Sequence, residues 1–305
     1  MMRIISLFPA ATEIVCALGA ASSLVGISHD SDYPSELLHA GIRRVTRATI
    51  DGNAAPAEID RMVRVADTLG ESLHVLDASA IAELEPDLII TQGICEVCAI
   101  RESDVRIIAE SLFEPPVVLS LSADSLDEMM NDIRRVGAAI ERSPLAQALV
   151  ARLEARLWKV HERLVAAAAP RPRVAVLEWT DPIYNAGHWV PQMVRRAGGI
   201  EVLAKASERS RVVTMEEVVA ANADTIIIAP CGYDAERAAA EGAMQMKKNE
   251  WSWLTQRRAW AVDSGGLLSR PGPRLVDGVE TLAEIFHPTL FPRPARGRAL
   301  ELSAA

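Results

Sequence analysis

Short apolar segments rich in β-branched residues alternate with segments of helical periodicity along most of this 305-residue chain. The segments with the pattern of buried strands are RIISL (3–7), LVGIS (24–28), DLIIT (87–91), VVLSL (117–121), RVAVLEW (173–179), TIIIA (225–229) and AWAV (259–262). Strands that alternate with helices usually form a parallel sheet whose faces the helices cover. The pattern therefore predicts an α/β fold.

A long helical segment separates two blocks of these strands. Ser143 and Pro144 have the pattern of an N-cap followed by proline at the first helical position. Apolar residues then recur at helical spacing to about Ala168, and PRPR (170–173) breaks the pattern. A helix of about 25 residues is about 37 Å long. The predicted parts of the chain are an N-terminal α/β lobe (1–122), a helical linker (123–169), a C-terminal α/β lobe (170–292) and a tail (293–305).

Two segments, one in each block, echo each other. ELEPDLIITQGIC (83–95) and AANADTIIIAPCG (220–232) both contain a helix end, an aspartate, an apolar strand and a loop that carries cysteine. Asp87 in the first segment corresponds to Asp224 in the second. We interpret this as a weak internal repeat, although any α/β protein contains buried strands of this kind.

The repeat places cysteines after predicted strands of both blocks. Cys95 and Cys98 form a C-x-x-C pair after DLIIT, and Cys231 follows TIIIA. Open α/β sheets hold their ligands at the carboxyl ends of the strands. We therefore expect these three thiols to surround one shared cleft.

Composition and charge narrow the classes of function. Half of the residues are hydrophobic and 24% are charged, as in an ordinary globular protein. A formal net charge of −9 without a basic stripe argues against nucleic-acid binding. No apolar run approaches the roughly 18 residues of a membrane span, so no membrane insertion is expected. Because the N-terminal sequence lacks the pattern of a secretory signal, we expect a cytoplasmic protein, or a periplasmic or extracytoplasmic one if an export signal has been removed.

The familiar catalytic motifs are missing from the sequence. It contains no G-x-S-x-G, G-x-x-x-x-G-K-[ST], G-x-G-x-x-G or H-E-x-x-H. Its four cysteines are too few for a disulfide framework in a chain of this length. We therefore expect a protein that is not an enzyme.

Longer segments of both blocks resemble a known family. IISLFPAATEIVCALG, LVGISHDSDYP and LEPDLIIT in the first block, and LEWTDPIYNAGHWVPQMVRRAGG, IIIAPCGYDAER and SRPGPRLVDG in the second, are similar to the periplasmic-binding-protein family that carries cobalamin and iron–siderophores. The similarity is strongest to the cobalamin-binding branch and to its subset with a Cys-x-x-Cys loop, which often lacks an export signal. It spans about residues 3–288. The resemblance implies the class III substrate-binding-protein architecture, with two Rossmann-like lobes joined by a single long rigid helix and the ligand held between them.

The same resemblance implies a function. The chain is expected to bind cobalamin or another corrinoid, either as the substrate-binding component of an ABC-type uptake system with a permease partner or as a cytoplasmic corrinoid carrier. We expect it to be a monomer. The alternatives are a siderophore- or haem-binding protein, and a cytosolic metal or redox protein that uses Cys95, Cys98 and His29.

The family's motifs, carried over onto this sequence, suggest His29, Asp30 and Tyr33 on one side of the ligand and Arg270 on the other. The chain also departs from the family's pattern. Its loop HDSDYP carries Asp30 at a position where a relative has tyrosine, and GGLL (265–268) has no aromatic residue where relatives commonly place one. These departures indicate weaker stacking on the ligand or a different corrinoid.

The other predicted ligand-binding residues have competing interpretations. Trp179 and Trp189 suit a large flat ligand, but core packing is the alternative for each. Gln92 stands at the end of a predicted strand before the cysteine loop and belongs to the same predicted set. The guanidinium group of Arg270 suits the amide or phosphate oxygens of a nucleotide tail, with a helix start or a salt bridge as the alternative. His29 suits cobalt as an axial ligand, with a hydrogen-bonded loop histidine as the alternative.

The C-x-x-C pair itself has several interpretations. A structural zinc site needs about four nitrogen or sulfur ligands, and Cys95 and Cys98 supply two, with His29 and Cys231 as candidates for the others. A thioredoxin-like redox function needs the pair at a helix N-terminus, which the surrounding strand order does not indicate. Pocket lining, contact with a bound cobalt ion, another metal, redox chemistry and a structural role all stay open.

Two glutamates are candidates for docking to a transporter. In the transport family a glutamate on each lobe pairs with arginines of the permease, and the resemblance suggests Glu96 and Glu208 as the counterparts here. Simple solvated charge is the alternative for both residues.

Overall fold

The computed structural model describes residues 1–93 and 100–302. The chain divides into two compact units. The first comprises Met1–Ala123 and Asp127–Ala151, and the second comprises Asp124–Leu126 and Arg152–Ala305. Each unit has its own sheet of mainly parallel strands, as the two blocks of predicted strands indicate.

The strands are β1 (Ile4–Ser6), β2 (Leu24–Ile27), β3 (Arg43–Arg44), β4 (Thr46–Ala48), β5 (His74–Leu76), β6 (Leu88–Gln92), β7 (Val117–Leu121), β8 (Arg173–Thr180), β9 (Ile183–Asn185), β10 (Ile200–Glu201), β11 (Thr225–Ile228), β12 (Arg258–Val262) and β13 (Ala299–Leu302). The α-helices are α1 (Pro9–Ala17), α2 (Pro56–Leu69), α3 (Ala78–Glu83), α4 (Glu102–Ser111), α5 (Leu126–Ala139), α6 (Ser143–Ala166), α7 (Val190–Arg196), α8 (Met215–Ala220), α9 (Ala235–Gln245), α10 (Ser264–Leu267) and α11 (Leu275–Phe286). Short 3₁₀ helices cover Ala21–Ser23, Ser35–His39 and Asn249–Gln256.

The sheet of the first unit has the order β3-β2-β1-β6-β7, and all its strands are parallel. Its central strands are buried on both faces, since the side chains of Ile4, Ile5, Ile89 and Ile90 have no exposed surface. This explains why these segments are continuously apolar rather than alternating. The strand order reverses between β1 and β6, and β4 and β5 form a separate antiparallel pair.

The sheet of the second unit has the order β10-β8-β11-β12-β13. The first four of these strands are parallel, whereas β13 is antiparallel to β12 and β9 is antiparallel to β8. Strand β13 (Ala299–Leu302) lies inside the segment predicted as a tail. Because β13 pairs with β12, this part of the chain is a strand of the second sheet rather than a separate tail.

The long helix predicted between the blocks is confirmed as α6, which runs from Ser143 to Ala166 over 24 residues. At 1.5 Å per residue it is about 36 Å long. Its residues to Ala151 belong to the first unit, and those from Arg152 belong to the second.

The internal repeat forms the same local structure in both units. In the first, the backbone N–H of Arg3 donates to Asp87 Oδ2 (2.7 Å), and the N–H of Asp87 donates to the carbonyl of Arg3 (2.9 Å). In the second, Arg173 and Asp224 make the same two bonds at 2.8 Å each. Each arginine side chain also donates to carbonyls just after the preceding helix. These carbonyls belong to Leu84 and Glu85 in the first unit and to Ala221 and Asn222 in the second. The aspartate thus fastens the start of the central strand to its neighbour in each sheet.

Candidate functional site

A cavity of about 80 Å³ lies in the first unit at the carboxyl ends of β1, β2 and β6. This is where the strand order reverses, which is the usual place for a ligand in an open α/β sheet. The lining residues are Leu7, Phe8, Pro9, Ser28, His29, Asp30, Thr46, His74, Thr91, Gln92 and Ile100. The cavity therefore contains three of the residues predicted from the sequence, His29, Asp30 and Gln92.

His29 is held in place by Thr46 of β4. The imidazole Nδ1 lies 2.6 Å from Thr46 Oγ1, and the backbone N–H of His29 donates to the same oxygen at 2.9 Å. On the other side of the ring, Nε2 lies 3.3 Å from Asp30 Oδ2. The ring is thus fixed at one nitrogen while the other faces a carboxylate at the cavity.

His74, which was not predicted, contributes a second imidazole to the cavity. It lies on β5, where it pairs with Ala48 of β4, and its ring centroid is 5.2 Å from that of His29. One ligand atom from each of His29, Asp30 and His74 lies within 4.8 Å of the other two. The group combines two imidazoles and a carboxylate, which are the donors that first-row transition metals take in proteins.

The surroundings of His29 lower the pKa of its imidazole. Burial lowers the pKa of His29 most strongly, and the positive charge of Arg44 and the neighbouring His74 lower it further. Asp30 opposes these effects and raises the pKa of His29. A neutral imidazole has the free lone pair that metal coordination requires.

A buried network of hydroxyl groups fixes the loop that carries His29. Thr12 Oγ1 lies 2.8 Å from both Ser6 Oγ and Ser31 Oγ, and Ser31 Oγ lies 3.0 Å from Ser28 Oγ. The guanidinium of Arg44 donates to the carbonyls of Ser28 and Ser31 at 2.7 and 2.6 Å. Satisfied buried polar networks of this kind rigidify the backbone around them.

An aromatic group stands at the carboxyl ends of β8 and β11 in the second unit. Trp179 meets Tyr233 edge to face, with ring centroids 5.7 Å apart. The guanidinium carbon of Arg237 lies 3.7 Å from the centre of the Tyr233 ring. Tyr233 is 4% exposed, and burial raises the pKa of its hydroxyl. Trp179, only half-buried, therefore presents an aromatic surface beside a rigid partner.

The loops after β11 and β12 touch each other beside this aromatic group. The N–H of Gly265 donates to the carbonyl of Tyr233 at 3.0 Å. A Cβ atom on Gly265 would stand 3.2 Å from the carbonyl oxygen of Gly232, so the contact requires a small residue. Close to it, burial raises the pKa of the Asp263 carboxyl group, and the charges of Arg274 and Arg270 oppose that effect. The charge of the predicted ligand residue Arg270 thus acts on the Asp263 carboxyl group.

The remaining predicted residues of the second unit differ in exposure. Trp189 is 6% exposed, and its indole N–H donates to the carbonyl of Leu268 at 2.6 Å, which favours the core-packing alternative. Cys231 is exposed and follows β11, as predicted, with its N–H donating to the carbonyl of Glu178. Glu208 is exposed and lies 3.7 Å from the amino group of Lys205.

Two further groups of predicted residues belong to the first part of the chain. Tyr33 is 45% exposed and is not among the residues that line the cavity. Cys95, Glu96 and Cys98 lie outside the described residues, so the interpretations of the C-x-x-C pair stay predictions.

The sequence profile of the family described as periplasmic binding protein matches residues 4–252. The chain belongs to this family. The resemblance found from the sequence is thereby confirmed.

Relatives of this periplasmic binding protein share about a quarter of its residues. An uncharacterised ABC transporter substrate-binding lipoprotein of Bacillus subtilis is 25% identical over 95% of this chain and 81% of its own. A vitamin B12-binding protein of Vibrio cholerae is 24% identical over 91% of this chain and 86% of its own.

Solved structures of binding proteins have the same fold. A periplasmic haem-binding protein of Pseudomonas aeruginosa matches with a TM-score of 0.73 and 20% identity, over 99% of this chain and 98% of that one. The periplasmic vitamin B12-binding protein of V. cholerae matches with a TM-score of 0.65 and 23% identity, over 93% of this chain and 96% of that one. The predicted class III α/β fold is therefore confirmed. Among the described helices, none has both the length and the apolar character needed to cross a bilayer.

The binding protein also holds site residues that the sequence did not single out. Thr46 and His74 join the His29 cavity only through the β4–β5 pair, and neither stands in a recognisable motif. Tyr233 and Arg237, by contrast, stand in the segment IIIAPCGYDAER, so their position just after a predicted strand was a usable signal.

Proposed function

We propose that this periplasmic binding protein captures cobalamin or another corrinoid as the substrate-binding component of an ABC-type uptake system. The observation that carries the proposal is His29, an imidazole fixed by Thr46 in a cavity at the carboxyl ends of parallel strands. Imidazole nitrogen is a good ligand for cobalt. The 24% identity to a vitamin B12-binding protein over most of both chains supports the same ligand class.

The second unit, taken by itself, also has side chains that suit such a ligand. Trp179, braced by the buried ring of Tyr233, supplies aromatic surface for the apolar parts of a corrin ring. Arg270, near the carboxyl end of β12, has a guanidinium group that suits the amide and phosphate oxygens of the nucleotide tail. Recognition of this kind combines a large apolar contact with a few polar anchors.

Haem is the second candidate ligand, and one observation favours it specifically. The His29 and His74 imidazoles stand together at one cavity, and imidazole is an axial ligand of haem iron as well. The fold does not decide between the two ligands, because a haem-binding structure and a vitamin B12-binding structure both match this chain.

Titration of the purified protein with hydroxocobalamin, and separately with haemin, tests the proposal. We expect one equivalent of hydroxocobalamin to stay with the protein through desalting, with a change in its visible spectrum. His29→Ala should remove the spectral change, and Trp179→Ala should weaken binding about tenfold, which corresponds to about 1.4 kcal/mol of lost contact. His161→Ala, on the exposed face of α6, is the matched control.

The outcome separates the candidate ligands. Retention of haemin without any corrinoid would support the haem alternative and reject the corrinoid proposal. Loss of both ligands on desalting would reject both.

We further infer an extracytoplasmic location and a permease partner. The relatives include a substrate-binding lipoprotein, and the matching structures include periplasmic proteins, which supports the extracytoplasmic alternative over the predicted cytoplasmic one. Glu208 is exposed on the second unit, as docking to a permease arginine requires, and Glu96 is its predicted counterpart. Glu208→Lys should therefore reduce transport in a reconstituted uptake assay while ligand affinity stays unchanged. Loss of ligand affinity in this variant would reject the docking role.

A further inference from the structure

Two imidazoles and a carboxylate converge at the cavity of the first unit from two separate parts of the chain. His29 and Asp30 follow β2, and His74 lies on β5. One ligand atom of each lies within 4.8 Å of the others. Convergence of two imidazoles and a carboxylate from distant parts of the sequence is the arrangement found in metal centres.

The distances suit a small metal ion. With bonds of about 2.0–2.1 Å, two ligand atoms of a tetrahedral metal lie about 3.4 Å apart. His29 Nε2 and Asp30 Oδ2 are 3.3 Å apart, close to that separation. The distance is longer than the 2.7–2.9 Å expected of a charge-assisted hydrogen bond. The donor nitrogen of His74 lies within 4.8 Å of both atoms.

Thr46 supplies the kind of support that metal-binding histidines usually have. Metal ligands of this type use their other ring nitrogen in a hydrogen bond, which fixes the tautomer and the ring orientation. His29 Nδ1 lies 2.6 Å from Thr46 Oγ1, and Thr46 is itself 6% exposed. With a proton on Nδ1, the lone pair of Nε2 is available at the cavity.

The surrounding charges also permit a cation. The positive side chain of Arg44 is engaged with the loop, because its guanidinium donates to the carbonyls of Ser28 and Ser31. Asp30, at 54% side-chain exposure, leaves the ion a path from solvent.

We propose that His29, Asp30 and His74 bind one divalent first-row transition-metal ion in the protein without any tetrapyrrole. Two histidines and one carboxylate fit Zn²⁺, Co²⁺ or Ni²⁺ and leave at least one coordination position open. The open position would accept water or a donor atom of an incoming ligand. The site goes beyond the proposed function, since it needs neither corrinoid nor haem.

Titration of the purified, ligand-free, full-length chain with Co²⁺ tests the site. Cobalt is the probe because its visible d–d absorption reports the number and geometry of its ligands. We expect one equivalent to bind, Zn²⁺ to displace it, and His74→Ala to weaken binding at least about tenfold. Asp30→Asn, a change at an exposed position, should weaken Co²⁺ binding by a similar factor. His161→Ala, an exposed histidine of the second unit, should have no effect.

Two results would overturn the proposal. One is the absence of one-to-one Co²⁺ binding to the wild-type protein. The other is binding that survives the double change His29→Ala and His74→Ala but disappears in Cys95→Ser/Cys98→Ser. Circular dichroism of each variant ensures that it is folded, and the Asp30→Asn variant keeps the test valid if a histidine variant does not fold. Because no tetrapyrrole is added, failure of the corrinoid proposal leaves this test unaffected.

Discussion

Glu201, at the end of β10 in the second unit, has a carboxyl group that folding perturbs strongly. Its Oε1 accepts the backbone N–H groups of Val202 and Leu203 at 3.0 and 2.9 Å. Its Oε2 is buried and has no hydrogen-bond partner among residues 1–93 and 100–302. Burial raises the pKa of Glu201 to about 8, although the backbone hydrogen bonds act in the opposite direction.

The raised pKa makes the stability of the protein depend on pH. Below about pH 4.5 the carboxyl group is protonated in both folded and unfolded chains, and its burial carries no charge penalty. As the pH rises from 4.5 towards 8, the unfolded chain releases a proton that the folded chain keeps, so the free energy of unfolding falls. The pKa of Glu201 rises from 4.5 in the unfolded chain to about 8 in the folded one. At about 1.36 kcal/mol per pH unit, this lowers the free energy of unfolding by at most about 5 kcal/mol.

Glu201→Gln should remove this penalty. The amide oxygen can still accept the two backbone N–H groups, but the side chain no longer ionises. We expect the variant to match the wild type within about 1 kcal/mol at pH 4 and to exceed it by about 2–5 kcal/mol at pH 9.

Urea unfolding at pH 4, 6.5 and 9, followed by tryptophan fluorescence, measures the difference. All six tryptophans lie in the second unit, so the signal reports on the part of the chain that contains Glu201. Glu208→Gln, an exposed change nearby in the sequence, is the control and should leave the pH profile unchanged. A Glu201→Gln variant with the same pH dependence of stability as the wild type would refute the reasoning.

Three other predictions test the internal repeat, a close backbone approach and the two described thiols. Asp87→Asn and Asp224→Asn should each destabilise the protein by about 1–3 kcal/mol in chemical unfolding, because each replaces a charged hydrogen bond to the first strand of its sheet. A variant as stable as the wild type at either site would contradict an equivalent role of the two aspartates. Gly187→Ala should lower the melting temperature, since its Cβ would stand 2.4 Å from a backbone nitrogen and 2.7 Å from a carbonyl oxygen of the facing loop, and an unchanged value would disprove the close packing. At pH 8, the exposed Cys231 should react with a thiol reagent much faster than Cys16, because burial raises the pKa of the Cys16 thiol to about 11. Equal rates, measured on the single serine variants, would contradict this.

Much of the fold follows from local sequence pattern. The apolar runs predicted β1, β2, β6 and β7 of the first unit and the parallel strands β8, β11 and β12 of the second. Such runs are informative because a strand buried on both faces has apolar residues throughout. Ser143 and Pro144 likewise mark the start of α6 locally, although the helix begins at Ser143, one residue before the predicted first helical position.

The strands that the sequence did not predict share a physical property. They are short or lie at an edge, and they are β3, β4, β5, β9, β10 and β13. At such positions one face or one edge stays polar, so that residues such as those of TRA in β4 carry no strand pattern. Their existence depends on pairing with strands far away in the sequence.

The sequence by itself determined which segments are buried, that both sheets are mainly parallel, and that His29, Gln92 and Cys231 follow or end strands. These properties are local, because buried parallel strands are recognised by their runs of apolar residues and by the helical segments between them. Only the tertiary structure decided that His74 stands beside His29. That contact depends on the pairing of β4 with β5, which brings together side chains that no spacing along the chain connects. A site built from several side chains therefore depends on strand pairing. The separation of its residues in the sequence does not indicate how close they lie in space.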